Sequence, residues 1–391
     1  MGKKTRKTNI IVYFAVVAFA LLFLYVGNKI ATQNMAVDFD NDNNEMARAK
    51  VIRILDRTEE VSEWWSQTTI TFEAQVTEGA YKNEIVTATQ SMSDYFAVNE
   101  SEVTEGAKVL LQLASVYIDE PEEWHFSGYV MIDKILILCA VFAVLLLIFG
   151  RVKGLNAILS LGFTCAAIFA VFVPSILSGK DIYGSSIIIC VYTIIVTLFI
   201  LNGVNRKSLA AVGGCFGGVI AAGLITLLMN SALGLTGWID SESIHLVNLP
   251  TETPIDLKAI IFAGIIIGAV GAIMDVAVSI SSAMSELKEQ APNLPFHKLF
   301  KSGINIGKDI MGSMTNTLVL AYIGSSLTII LLLAVYASSF VDLLNREMVI
   351  VEILQALVGS LGILLTMPLT ALICAFLYSR KPLQGEIEGF S

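Results

Sequence analysis

The chain is poor in charge, in histidine and in cysteine. Of its 391 residues only 15% are charged and three are histidine, while 55% are hydrophobic, and the mean hydropathy is +0.72. So little polar surface cannot keep a globule of this length in water. The five cysteines, Cys139, Cys165, Cys190, Cys215 and Cys374, all fall in apolar runs. With no CxxC or Cys/His spacing they exclude a disulfide framework and a zinc site, and they are expected to pack between helices as small apolar residues. His125, His245 and His297 are scattered, and no Ser/His/Asp, HExxH, P-loop or dinucleotide signature stands in a fitting context. No enzyme activity, metal, cofactor or nucleic-acid partner is therefore expected.

What the chain has instead is long apolar runs. A bilayer needs roughly 17 to 25 apolar residues per helical span, and runs of that kind lie at 10–26, 132–149, 155–177, 184–201, 209–230, 257–280, 317–336 and 353–378. They predict an α-helical polytopic membrane protein with eight spans, one before and seven after a long polar segment. Lys and Arg set the orientation. Lys3, Lys4, Arg6, Lys7, Arg151, Lys153, Arg206, Lys207, Lys288, Lys298, Lys301, Lys308, Arg380 and Lys381 fall on one side, against Lys180, Lys258 and Arg346 in the short loops of the other. The positive-inside rule then makes both termini cytoplasmic. The expected organisation is a basic N-terminus and anchor over 1–27, an exterior domain over 28–130, a seven-helix membrane domain over 131–380 and a cytoplasmic tail over 381–391. The first span reads as a retained anchor rather than a cleaved signal, because no small-x-small site follows it immediately. Arg6 stands where a myristoylation motif needs Ser or Thr.

The exterior segment reads as small and all-β. Runs at 47–55, 68–76, 84–91, 107–115 and 124–132 are rich in Val, Ile, Thr and aromatics and are separated by Gly79, Asn99, Gly106 and Pro121, which predicts five strands closing into an OB-like or SH3-like barrel. Alternation puts Ile70, Phe72, Ala74 and Val76 on its inner face. Residues 38–45 resemble a calcium loop only superficially, lacking its Gly and bidentate Glu, and read as a solvated linker. Trp64, Trp65 and Trp124 are candidates for the barrel core or for the membrane surface.

Within the sixth span stands Asp275, an acid in a run that must cross hydrocarbon at a cost of roughly 2.5 to 3.5 kcal/mol on insertion scales. At 100° per residue Gly264, Gly268, Gly271, Asp275, Ser279, Ser282 and Glu286 fall at about 0°, 40°, −20°, 20°, 60°, 0° and 40°. This is one narrow polar stripe. A second runs along the next helix. With Ser313 at 0°, Asn305, Asp309, Gly312 and Asn316 fall at about −80°, −40°, −100° and −60°. From Ile304 to Tyr336 that helix would be roughly 50 Å long, so it is expected to project into the cytoplasm, bend near Gly307 or Gly312, or lie along the interface. Because the two helices are consecutive and antiparallel, their stripes are expected to face each other. Asp275 would then supply the charge, Ser279, Ser282, Asn316 and Thr317 the neutral oxygens, and Glu286, Lys308 and Asp309 with Asn305 the cytoplasmic mouth. Such a set suits a hard cation or a proton relay; the alternative is an Asp275 protonated or paired with Lys308 to dock two helices. Gly213, Gly214, Gly217 and Gly218 give small-xxx-small spacing in two registers, which, like Gly264, Gly268 and Gly271, suits close helix packing. The loop 231–256, with Trp238, Asp240, Glu242, His245, Glu252 and Asp256, reads as a solvated acidic loop.

The segment from Gly271 through Met274-Asp275-Val276 to Glu286, followed by Gly307-Lys-Asp-Ile-Met-Gly-Ser-Met-Thr-Asn-Thr-Leu-Val-Leu-Ala-Tyr322, resembles the hallmark pair of the bacterial YibE/F-like membrane proteins. The resemblance implies an N-terminal helix, a β-rich exterior domain and a seven-helix membrane domain in a bacterial plasma membrane. It also implies a permease-like role without a known substrate, and a homo-oligomer or pairing with a related family member. Two functions follow as expectations. One is transport along the Asp275 stripe; the other is a non-transporting membrane scaffold or envelope-interaction protein that works through its β domain.

Overall fold

The structure is a computed structural model that describes residues 3–33, 35, 46–61, 66–93, 101–114, 123–239, 242–249, 251 and 253–379. It divides into two compact units, one over 38–145 and one formed by 1–37 with 146–391.

The first unit holds strands β1 (Met46–Val61), β2 (Ser66–Val76), β3 (Ile85–Ser93), β4 (Lys108–Ala114) and β5 (Glu123–Tyr129). They close in the order β1-β2-β3-β5-β4. β1 pairs antiparallel with both β2 and β4, and the short β3–β5 pair is parallel, which is the OB-like closure rather than the SH3-like one. Alternation does the inward sorting as expected: Ile70, Phe72, Ala74 and Val76 are each at most 1% exposed and meet Val109, Leu111 and Trp124 in the barrel core. Trp64, Trp65 and the 38–45 linker lie outside the described residues. On the barrel surface Arg53 grips Glu73 with two hydrogen bonds of 2.9 Å across the β1–β2 pair.

The second unit is helical. It contains α1 (Lys3–Ala31) and, after α2 (Ile132–Gly150) has passed from one unit into the other, α3 (Val152–Ala167). A π-helical turn (Ile168–Phe172) leads into α4 (Val173–Leu177), and α5 (Ile182–Asn202), α6 (Arg206–Leu233), α7 (Glu242–Val247), α8 (Leu257–Gln290), α9 (Phe296–Ser325), α10 (Leu327–Tyr336), α11 (Phe340–Asn345) and α12 (Glu347–Ser379) follow. Among the described residues seven helices are long and apolar enough to cross a membrane, and α9 with α10 forms an eighth candidate broken by a 59° bend. Helix starts follow sequence signals: Asp181, Asn205 and Asp256 cap α5, α6 and α8 by accepting from backbone N–H groups.

Two cores hold the unit together. In one, α6, α8 and α12 bury Ile265, Ile266, Ile273, Ile280 and Met284. In the other, α1 and α5 meet the N-terminal end of α8, with Phe23 stacked on Tyr192 at 4.2 Å. The α6–α12 contact depends on missing side chains. A Cβ at Gly214 would overlap Thr370 Oγ1, one at Gly218 would overlap Thr366 Oγ1, and Gly213 and Gly217 lie against Ile373 and Leu369. Across the loop after α6, the Glu347 carboxylate accepts from Thr236 N–H, Thr236 O–H and Gly237 N–H at 2.6 to 2.7 Å.

Two expectations need correction. The helix carrying the second stripe does not bend at Gly307 or Gly312 but breaks at Ser326. Gly307 is held in place by Met367 and Ile280 packed upon it, whereas at the break Ser325 Oγ donates to the Tyr322 carbonyl, the local bond by which serine competes with helix propagation. The cysteines also divide. Cys190, Cys215 and Cys374 are buried in the core, but Cys139 and Cys165 are exposed, so only three act as packing residues.

Candidate functional site

α8 is the axis of the site. Its packed face carries Ile265, Ile266, Ala269, Ile273, Val276, Ala277, Ile280 and Met284, which centre about half a turn of the helical wheel away from the polar stripe. The stripe is therefore open: Gly264, Gly268, Gly271, Asp275 and Glu286 are exposed, with Ser279 and Ser282 half-buried. Asp275 stands about 27 Å along a helix about 50 Å long, close to its middle. Among the described residues neither Asp275, Glu286, Lys308 nor Asp309 forms an ion pair. The expected alternative in which Asp275 pairs with Lys308 is thus not what the structure holds.

The second stripe does not face the first. α9 packs through Leu299, Gly303 and Gly307, the only buried residues among its described side chains. A Cβ at Gly303 would overlap Met284 and Ala371, and one at Gly307 would overlap Met367 and lie 3.2 Å from Ile280 Cδ1. Those glycines let α9 settle between α8 and α12, and helical geometry then turns Asn305, Asp309, Gly312, Ser313 and Asn316 to the opposite face, where all five are exposed. Thr317 is exposed as well and donates to the Ser313 carbonyl. Asn316 therefore lies on the face of α9 turned away from its packing against α8 and α12.

What flanks the α8 stripe is different from what the periodicity suggested. On one side a groove of about 340 Å³ lies between α3, α5 and α8, lined by Ser160, Thr164, Thr193 and Thr197 opposite Gly268, Gly271 and Met274. The π-helical turn begins at Ile168, which also lines this groove; an extra residue of this kind recurs at functional sites in helices. On the other side stands α9, whose Tyr322 hydroxyl sits so close to Gly268 that a Cβ there would collide with it. The stripe borders this groove at Gly268 and Gly271, with hydroxyl-bearing side chains across from them, and meets α9 at Gly268; Asp275 lies one turn beyond Gly271. Of the glycines along this stripe, Gly271 has nothing within 4 Å of a would-be Cβ, and Gly264 has only Gln355 Nε2, at 3.5 Å. They leave the stripe open; Gly213, Gly214, Gly217 and Gly218 instead face α12.

Sequence reasoning missed the α12 side of this region. Glu352, Gln355, Gly359, Gly362 and Thr366 fall at about 0°, −60°, −20°, −80° and −40° on a helical wheel, a third stripe of polar and small residues. The apolar run that predicts the last span begins at Ile353 and leaves Glu352 just outside, although α12 already starts at Glu347. The same angular test that found Asp275 would have found this stripe. His125 lies on β5 beside Thr89, at 3.1 Å, while His245 and His297 lie on α7 and α9, so the barrel histidine shares no element with the other two. In the loop before α8, Asp256 is engaged as the α8 cap, and Trp238 is exposed. Asp240 and Glu252 fall outside the described residues.

A family model described as YibE/F-like protein matches residues 138–380. No curated protein and no solved structure matches the chain.

Proposed function

The chain belongs to the YibE/F-like family, and from that premise we propose that it is a membrane permease that moves a small polar or cationic solute along the groove that the α8 stripe borders. One observation carries the reading: Asp275 lies near the middle of a 34-residue helix, exposed, one turn beyond the Gly271 that lines the groove, and without an ion-pair partner among the described residues. A carboxylate kept at that depth is expensive unless it meets water or a solute. Gly268 and Gly271 of its stripe line the groove, and the hydroxyls of Ser160, Thr164, Thr193 and Thr197 supply neutral oxygens across from them. In this reading the protein is not an enzyme. The family resemblance implies a bacterial plasma membrane setting, and the Lys and Arg distribution supports both termini cytoplasmic with residues 28–130 outside. Asp275→Asn preserves shape and removes the charge. It is expected to insert and fold as the parent does while losing solute flux in proteoliposomes, assayed across a panel of cations, protons and small polar solutes. Fluxes unchanged across the whole panel would remove the main support for transport.

A second reading has its own observation. The five-stranded barrel closes around its own core, a self-sufficient module of the kind that an envelope scaffold would present to a partner. Deletion of residues 38–128 separates the two readings: a scaffold loses its function with the barrel, whereas a phenotype that survives the deletion and disappears with Asp275→Asn belongs to transport.

A further inference from the structure

Beyond Asp275, polar side chains gather over the stripe's glycines with no role yet to explain them. Gly264 and Gly268 are one helical turn apart on the exposed face of α8, and two side chains close over them: Gln355 of α12, with Nε2 3.5 Å from the Cβ position of Gly264, and Tyr322 of α9, in contact with Gly268. The Tyr322 hydroxyl is shielded from solvent and has no hydrogen-bond partner. Glu352 stands one turn before Gln355 on the same face of α12. Tyr322 also belongs to the last turn of α9, immediately before the 59° break. At such an end the helix dipole is negative and favours a cation, and broken helices inside membrane proteins present that end to bound ions. Ser326, at the break itself, is 2% exposed, and its hydroxyl has no partner either.

We infer that Tyr322, Glu352 and Gln355, gathered around the side-chain-free surface of Gly264 and Gly268 at the α9 break, form a binding station for a small monovalent cation. One carboxylate among neutral oxygens carries a single negative charge, matching a single positive one, and oxygen donors suit hard ions of the sodium or potassium kind. The inference rests on the transport reading to the extent that the same glycine stripe continues from this station to Asp275, which gives the solute its class. The station itself is a binding site and is tested as one.

The test uses the full-length protein in detergent. Its melting temperature is followed as sodium chloride or potassium chloride replaces choline chloride at constant ionic strength, because an ion that binds only the folded state raises that temperature by mass action. The parent protein is expected to melt higher in sodium or in potassium than in choline, and the preferred ion identifies the ligand. Glu352→Gln and Tyr322→Phe are expected to lose the rise. Tyr322→Phe removes one oxygen and leaves the ring in place, so it decides the matter even if Glu352→Gln fails to fold. A parent protein indifferent to the cation overturns the station, as does a rise that persists in Tyr322→Phe. A rise lost only in Asp275→Asn moves the ion to the mid-membrane carboxylate, overturning the outer station and leaving the transport reading intact. Fluxes indifferent to Asp275→Asn, with the ion-specific rise still dependent on Tyr322, remove that reading and leave the station standing.

Discussion

At the scale of single residues, the chain is decided by where side chains are missing. Gly214 and Gly218 leave room for the hydroxyls of Thr370 and Thr366, and Gly264 and Gly268 leave room for Gln355 and Tyr322, yet the sequence treats all four as the same small-xxx-small pattern. Their consequences differ. Gly214→Ala forces a methyl group onto Thr370 inside the core between α6 and α12. Overpacking of that kind costs about 1–3 kcal/mol, so the variant is expected to melt at a lower temperature than the parent in the same detergent. Gly271→Ala meets open space and is expected to leave the melting temperature unchanged, which makes the pair an internal control for the packing argument. Asp275 was legible from the sequence because a lone acid in an apolar run is rare. Tyr322 was not, since a tyrosine near a helix end carries no comparable signal, and the Glu352–Gln355 stripe shows by the same angular test only when the last helix is extended past its apolar run to Glu347.

At the scale of elements, periodicity gave each helix a polar edge but not the direction in which it points. The stripe of α9 was readable, and so was that of α8. That they point apart follows from Gly303 and Gly307, which take α9 into the notch between α8 and α12 by their own face. The position of the break could not be read either: two glycines looked like hinges, and the break falls at Ser326. In the barrel the β1–β2 pair carries a testable ionic link. The hydrogen bonds from Arg53 hold the Glu73 carboxyl below its usual range. A carboxyl lowered in the folded state adds stability above its unfolded value, and that contribution is lost as pH falls through the folded value. Glu73→Gln is therefore expected to reduce the acid-side fall of the barrel's melting temperature. The effect is small, as befits a pair open to solvent, and the measurement is a series of melts from neutral to acidic pH on the parent and the variant.

At the scale of the whole molecule, the two units have separate cores and separate logics. One is closed by backbone pairing around Phe72, Leu111 and Trp124, and the other by apolar helix faces around Ile266 and Ile273. A fragment covering residues 38–130 is accordingly expected to fold without the helices. It should give a cooperative melt and a near-ultraviolet circular dichroism signal from its packed aromatic residues, and a fragment with neither would mean that the barrel needs the rest of the chain.

The sequence by itself determined the membrane class, the position of almost every span, the five strands with their inward faces, and the costly acid at Asp275. All of these depend on local composition and on period, which a chain carries without reference to its neighbours. Only the tertiary structure decided which faces meet. A helix of suitable period can dock by its glycine edge or by its polar edge, and the choice lies in the fit of Met284, Met367 and Ala371 against Gly303 and Gly307. That fit sends Asn316 away from Asp275 and leaves Tyr322 and Gln355 over the glycines of the α8 stripe.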